Sequence, residues 1–255
     1  MNRRDFMTGA LAGAAVGVVG GAGGAWTWGQ SRLKAERPED SRLSFSQQGE
    51  DIVLYHVLHD LLKLERPTYM DVGAAHPVRA SNTYLLWGTG SRGVLVEPNP
   101  ALAEMLRDWR PGDTVVEAGI GVTDQAEADY YEIKGNPMLN TFSPDQVAYL
   151  QKGKTESVVE RVVKMPLLNI NRVIDEQLAG KAPDLLSTDI EGLDFAIIQT
   201  LDLSRFRPGA ICAETVAMYN SSDFSEISKY LLAQDYEIRG GSTINTIYVD
   251  RRRLS

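Results

Sequence analysis

The sequence predicts an α/β domain: a mostly parallel sheet with helices on both faces and an antiparallel hairpin at one edge. Three observations predict it. Short apolar runs alternate with helical spacing of apolar residues along residues 44–255. The strand-like runs are short and mostly apolar, and their alternation with helices implies a parallel sheet covered on both faces. The final two runs, 236–239 and 244–249, flank Gly240-Gly241 and read as an antiparallel pair.

The first residues are of another kind. Residues 2–7 read Asn-Arg-Arg-Asp-Phe-Met, and an uncharged stretch rich in Ala, Gly and Val follows through Gln30. A basic start followed by an apolar run is a targeting segment and not a core element. Arg3-Arg4 with Phe6 resembles the twin-arginine export signal. The run is long enough for a helix crossing a bilayer, although its glycines weaken that helix. No small-x-small cleavage site stands out, so a signal (1–30) and an uncleaved membrane anchor both stay open. Residues 31–43, charged and containing Pro38, read as a linker.

From there the elements follow in order. Apolar residues at Ile52, Val53, Tyr55, Val57, Leu58, Leu61 and Leu62 predict a helix within 47–64, with Ser46 as its N-cap. Residues 68–72 and 93–96 are strands, and Pro100 opens a helix to Trp109. Further strands fall in 114–120, 182–190 and 210–216, with helices over 193–201 and 225–233. The middle, 125–163, fits this alternation less well. Tyr130-Tyr131 and 158–163 look like extra strands around a Gly/Asn/Pro loop at 134–144.

Composition narrows the function classes. A net charge of -8 on 255 residues gives no electrostatic case for nucleic-acid binding. The single cysteine, Cys212, lies in an apolar run and reads as a buried thiol, which leaves no disulfide or cysteine-built zinc site. His56, His59 and His76 have no metal-ligand spacing, and nothing in the sequence demands a metal.

In an open parallel sheet, ligands bind beyond the carboxyl ends of the strands, where strand order reverses. The predicted strands end in Asp71-Val72-Gly73-Ala74-Ala75, Glu97-Pro98-Asn99, Gly119-Ile120-Gly121, Asp189-Ile190-Glu191-Gly192 and Glu214. Acids and glycines are thus delivered to one rim. The first turn lacks G-x-G-x-x-G, which disfavours a dinucleotide. Glu97 is placed to accept the two hydroxyls of a ribose, or else to cap the helix from Pro100. Asp189 and Glu191, two apart, leave the same face if the strand continues through them, and suit a cationic ligand. Alternatively, one of them caps the helix beginning near Leu193.

The ordered motifs carry a resemblance. Ser46-Gln47-Gln48-Gly49-Glu50-Asp51, Met70-Asp71-Val72-Gly73-Ala74-Ala75-His76-Pro77, Ser81-Asn82-Thr83-Tyr84, Gly93-Val94-Leu95-Val96-Glu97-Pro98-Asn99-Pro100, Ser187-Thr188-Asp189-Ile190-Glu191-Gly192-Leu193-Asp194 and Arg207-Pro208 leading to Glu214 occur in order. Together they resemble the FkbM-type methyltransferases over 44–255. The resemblance implies a class I methyltransferase (Rossmann-like) fold, S-adenosyl-L-methionine as cofactor, and O-methylation of a sugar, glycan or small metabolite. It also implies that Asp71, Gly73 and Ala74 line the methionine part of the cofactor, that Glu97 with Pro98 holds the ribose, and that Ile120 lies near the adenine. Glu50, Asp51, Asp189 and Glu191 would surround the reacting centre. The family frequently has a polar residue where this chain has Ala75.

Asp189, Glu191 or Glu50 is the expected base for an alcohol acceptor, with His76 as an outside alternative. A rival reading is a membrane-tethered, non-catalytic binding module on the same scaffold, which would answer the question of how an exported domain meets a cytosolic cofactor. A nucleotide-sugar reductase or epimerase is disfavoured, because Tyr149 and Lys152 are only three apart and the glycine fingerprint is missing.

Overall fold

Strands buried on both faces need apolar side chains pointing both ways, and the central sheet is built so. The computed structural model describes residues 42–123, 125–190, 192–215 and 223–254. The expected targeting segment, nearly all of the linker, and Glu191 lie outside the described residues.

The elements in chain order are α1 Glu50–His56, running into a π-helical turn Val57–Leu61, then β1 Tyr69–Val72, α2 Tyr84–Gly88, β2 Gly93–Val96 and α3 Pro100–Trp109. After β3 Thr114–Val116 and β4 Gly119–Ile120 come β5 Glu127–Ile133, α4 Pro144–Gln151, β6 Val159–Leu168 and α5 Ile170–Gln177. The chain closes with β7 Leu185–Thr188, α6 Asp194–Thr200, β8 Ala210–Glu214, α7 Asp223–Ala233, β9 Tyr236–Gly241 and β10 Asn245–Asp250.

Seven strands form the main sheet in the order β3-β2-β1-β7-β8-β10-β9. All neighbours pair in parallel except β10, which runs antiparallel to both β8 and β9. The hairpin edge and parallel body agree with the expected fold class. Strand order reverses between β1 and β7, the place where such sheets bind ligands.

Alternation along the strands sorts two cores. Met70, Val72, Val94, Val96, Leu186 and Ile211 pack with Ile174, Ile198 and Leu231 of α5, α6 and α7. Tyr69, Leu95, Leu185, Cys212 and Ile247 pack on the opposite face with Leu54, Leu86 and Leu106 of α1, α2 and α3. Each such side chain, fully buried, contributes about 1.5–3 kcal/mol. Cys212 is buried as expected.

Three details differ from the sequence reading. The run 114–120 is two strands: β3 stays in the main sheet, while β4 pairs β6 in a second sheet ordered β4-β6-β5. A Cβ on Gly119 would lie 2.6 Å from the Phe142 ring, so a larger residue would push β4 away from the loop that follows β5. The N-cap of α1 is Gly49; Ser46 instead accepts hydrogen bonds from the Gly49 and Asp51 amides through its hydroxyl. Helices α2, α4 and α5 were not anticipated. Among the described residues no helix is long and apolar enough to cross a membrane.

Candidate active site

At the carboxyl edge of the sheet, where β1 and β7 part in topology, lies a cavity of about 820 Å³ that includes the solvent at its mouth. Its floor is the turn after β1. The Gly73 and Ala74 amides both donate to the Val96 carbonyl, and the Asp189 amide donates to the Val72 carbonyl. Gly73 has φ +83°, and a Cβ there would stand 2.1 Å from the Asp189 carbonyl oxygen. Only glycine permits that approach of β1 to β7. Ala75, two residues on, also has a positive φ of 49°. Asn and Asp adopt this left-handed region more readily than alanine, so Ala75 holds it at a small conformational cost.

Glu97, at the end of β2, is 3% exposed and accepts from the Ala75 amide at 2.9 Å and the Asn99 amide at 2.8 Å. Burial raises its carboxyl to about 7, against the lowering effect of those two amides and with a smaller raising effect from the charge on Asp71. Glu97 does not cap α3: the Asn99 side chain does, accepting from the Ala101 and Leu102 amides. The Glu97 carboxylate therefore keeps lone pairs for a ligand on the cavity side, where it is a lining residue.

Asp189, just beyond β7, also lines the cavity, with the Gln47 amide side chain 3.4 Å from it. Desolvation raises its pKa, and the neighbouring charges of Asp71 and Glu50 add to the effect. It does not cap α6, whose N-cap is Leu193 without a side-chain bond. Behind it, buried Asp194 is raised by burial to about 7 and accepts from the Ile190 amide.

Of the residues singled out in the sequence, Gly73, Glu97, Pro98, Ile120 and Asp189 line this one cavity. Asp71, Ala74 and Glu50 are buried and are not among its lining residues. Glu50 is fully buried and accepts from the Ser242 hydroxyl, the Asn245 side-chain amide and the Gln48 backbone amide. Burial works to raise its carboxyl, but those bonds hold it below its ordinary value. This geometry ties the N-terminal loop to the β9–β10 turn. Asp51 likewise holds its own loop, accepting from Ser44, Ser46 and the Phe45 amide. His76 is not in the lining; its Nδ1 accepts from the Val78 and Arg79 amides and so closes a turn.

The opposite wall was not legible. Tyr130, Met138, Thr141 and Phe142 come from the second sheet and its loop. Tyr130 and Phe142 pack with ring centroids 4.7 Å apart. The Tyr130 phenol is raised by burial and by the charge on Glu97, with a hydrogen bond to Asn140 opposing. The only sequence signal was the pair Tyr130-Tyr131 beside a Gly/Asn/Pro loop. Chemically, the cavity offers apolar and aromatic side chains together with two acids, Glu97 and Asp189. Its described lining includes Glu97 and Asp189 and no lysine, arginine or histidine. Such a site suits a ligand with a flat ring, vicinal hydroxyls and a positive charge.

A family model described as the methyltransferase FkbM domain matches residues 71–238. No curated protein matches the sequence. Among solved structures, a TehB-like SAM-dependent methyltransferase from Corynebacterium glutamicum aligns with a TM-score of 0.43 and 8% identity, over 89% of this chain and 96% of that one. An O-methyltransferase from Bacillus cereus in complex with SAH aligns with a TM-score of 0.40 and 13% identity, over 91% of each chain. A methyltransferase from Geobacter sulfurreducens aligns with a TM-score of 0.41 and 11% identity, over 96% of each chain.

Proposed function

The chain belongs to the methyltransferase FkbM domain family, and from that premise we propose that this S-adenosylmethionine-dependent methyltransferase acts on a hydroxyl of a sugar, glycan or small metabolite. The residues present fit the cofactor. In this reading Glu97 holds the ribose hydroxyls, and Pro98, Ile120 and Phe142 flank the adenine ring; what supports it is that all four line the cavity. The Gly73 turn and Asp189 face the amino-acid end, and an acidic lining without basic residues suits a ligand carrying sulfonium and ammonium charges. When bound, S-adenosylmethionine supplies an electrophilic methyl group on sulfur.

The observation that carries the choice of oxygen is Asp189. An alcohol keeps its proton at neutral pH, so its attack needs a base at the reacting centre. Asp189 stands at the topological switch point, faces the cavity, and has a proton affinity raised by desolvation and by the charges of Asp71 and Glu50. In this reading Asp189 accepts the hydroxyl proton as the new bond to oxygen forms. The apolar wall of Tyr130 and Phe142 excludes water. Glu191, next but one along the chain, is a second candidate for the same proton.

The test is transfer from methyl-labelled S-adenosylmethionine to hydroxyl-bearing acceptors, followed by mild alkali. An ether product keeps its label. Label released as methanol would mean a carboxyl acceptor and would overturn the reading. We further propose that residues 1–30 take the chain to a membrane, as a twin-arginine-like signal or an uncleaved anchor. The support is the pairing of Arg3-Arg4 with the uncharged run behind it.

A further inference from the structure

A polar row crosses one face of an otherwise apolar sheet. Asp71 of β1 stands in register with Ser187 of β7, and Ser187 with Cys212 of β8. By alternation this is the face of Tyr69, covered by α1, α2 and α3. The motif Ser81-Asn82-Thr83 lies against the row. The Thr83 hydroxyl donates to Asp71 Oδ2 at 2.7 Å. The Asn82 side-chain amide donates to Ser187 Oγ at 3.3 Å, and the Ser187 hydroxyl bonds Asp71.

The Thr83 hydroxyl is itself oriented. Arg110 donates to it through Nη2 at 3.3 Å. A hydroxyl that accepts from a guanidinium has one proton left to give, and here Asp71 receives it. Arg110 is 1% exposed and fixed in place. It pairs with Asp113 at 3.0 Å, donates to Tyr69 Oη at 2.9 Å and to the Pro77 carbonyl at 3.3 Å, and lies over the rings of Tyr69, Tyr84 and Trp87. Thr83 is also the N-cap residue of α2, yet its side chain makes no capping bond. A capping hydroxyl is worth about 1 kcal/mol to a helix, and here that contribution is forgone in favour of Asp71.

None of these side chains lines the cavity, but Asp71 directly precedes Val72 and Gly73, which do. Building on the reading of this cavity as the S-adenosylmethionine site, we infer that Thr83, oriented by Arg110, is a positioning residue for the methyl donor: it holds the Asp71 carboxyl in one orientation beneath the Gly73 turn that receives the donor's ammonium end. Burial raises the Asp71 carboxyl above its ordinary value; the Thr83 and Ser187 hydroxyls and the Arg110 charge limit that rise, and the charge on Asp113 adds to it. Without the Thr83 hydroxyl the carboxylate loses its shortest stabilising bond and takes up a proton more readily.

The test is calorimetric, on the full chain, with two probes. S-adenosylhomocysteine carries the amino-acid end; 5′-methylthioadenosine has the same nucleoside and thioether without it. Thr83→Val keeps the shape and removes the hydroxyl. Its affinity for S-adenosylhomocysteine should fall about tenfold: the bond from Thr83 to Asp71 is present with and without ligand, and what the ligand loses is the attraction of its ammonium for a carboxyl that is now less fixed and more readily protonated. Affinity for 5′-methylthioadenosine should stay within roughly twofold, and Thr83→Ser should restore the first probe. Equal losses on both probes, an undiminished affinity for S-adenosylhomocysteine, or a serine variant that restores nothing would each overturn the inference. Should Thr83→Val fail to fold, Thr83→Ala is judged by the same two probes. A wild-type chain that binds neither probe would overturn the donor reading itself, which separates that failure from a failure of Thr83's role.

Discussion

Replacing Glu97 with glutamine should abolish a pH dependence of the fold and weaken the site. The wild-type carboxyl is 3% exposed and is raised from 4.5 to about 7, chiefly by burial. A carboxyl whose pKa is raised on folding contributes stability in full below its unfolded value, and that stability is lost as pH climbs through the folded value. The gap between 4.5 and about 7 corresponds to about 3 kcal/mol, absent from the fold at pH 8 and present at pH 4. Glutamine removes the buried charge, but its amide nitrogen cannot accept, so one of the Ala75 and Asn99 amides loses its partner at a cost of about 1–3 kcal/mol at any pH. The pH-dependent part stays: the effect of Glu97→Gln on stability should be about 2–3 kcal/mol more favourable at pH 8 than at pH 5, roughly 5–8 °C in Tm. Ribose recognition moves the opposite way, since one acceptor oxygen and the charge are gone. The loss of one charge-assisted hydrogen bond, about 2 kcal/mol, is roughly 30-fold in affinity. Urea unfolding at the two pH values, with titration of S-adenosylhomocysteine at pH 8, reads both quantities. Unchanged ligand affinity would refute the ribose role; a stability change that is the same at the two pH values would refute the account of burial.

Other perturbations have equally definite outcomes. Gly73→Ala places a Cβ 2.1 Å from the Asp189 carbonyl at φ +83°; unfolding should show a loss of more than about 3 kcal/mol, and a wild-type midpoint would contradict the tight β1–β7 approach. Asp189→Asn should lower turnover by about 10²-fold or more, with a smaller loss of about tenfold in S-adenosylhomocysteine affinity because the same carboxylate faces the ligand's ammonium. In the wild type, turnover should rise with pH along a limb displaced above the ordinary carboxylate range, because the pKa of Asp189 is raised and only the deprotonated form is a base; the asparagine variant should lack that limb. Lysine at both Arg3 and Arg4 should shift the chain from the membrane or exported fraction to the soluble one on fractionation, and unchanged partitioning would sink the targeting proposal.

The parallel body was legible because each strand carries apolar residues on both faces and stops at a turn. The runs 93–96 and 210–216 correspond to β2 and β8 with little adjustment. Glu97 and Asp189 were legible for the complementary reason: an acid at the end of an apolar strand has no place in the core. What local pattern does not encode is pairing. The residues 114–120 look like one strand, yet Gly119–Ile120 leaves to join β6, whose partners lie about 50 residues away. The wall formed by Tyr130 and Phe142 is equally non-local. Glu50 and Asp71 show the limit of reading acids as ligand-facing, since both are turned into buried hydrogen-bond networks. Arg110 gave no signal at all; a lone arginine after a helix reads as a solvated end, and only the rings of Tyr69, Tyr84 and Trp87 with Asp113 make its burial possible.

A crystal structure with S-adenosylhomocysteine would test the central claim most directly. The account predicts ligand density across the carboxyl ends of β1, β2 and β7, with both ribose hydroxyls in hydrogen-bond reach of the Glu97 carboxylate and the amino-acid end over Gly73. Density elsewhere on the chain, or a ribose pointing away from Glu97, would contradict it.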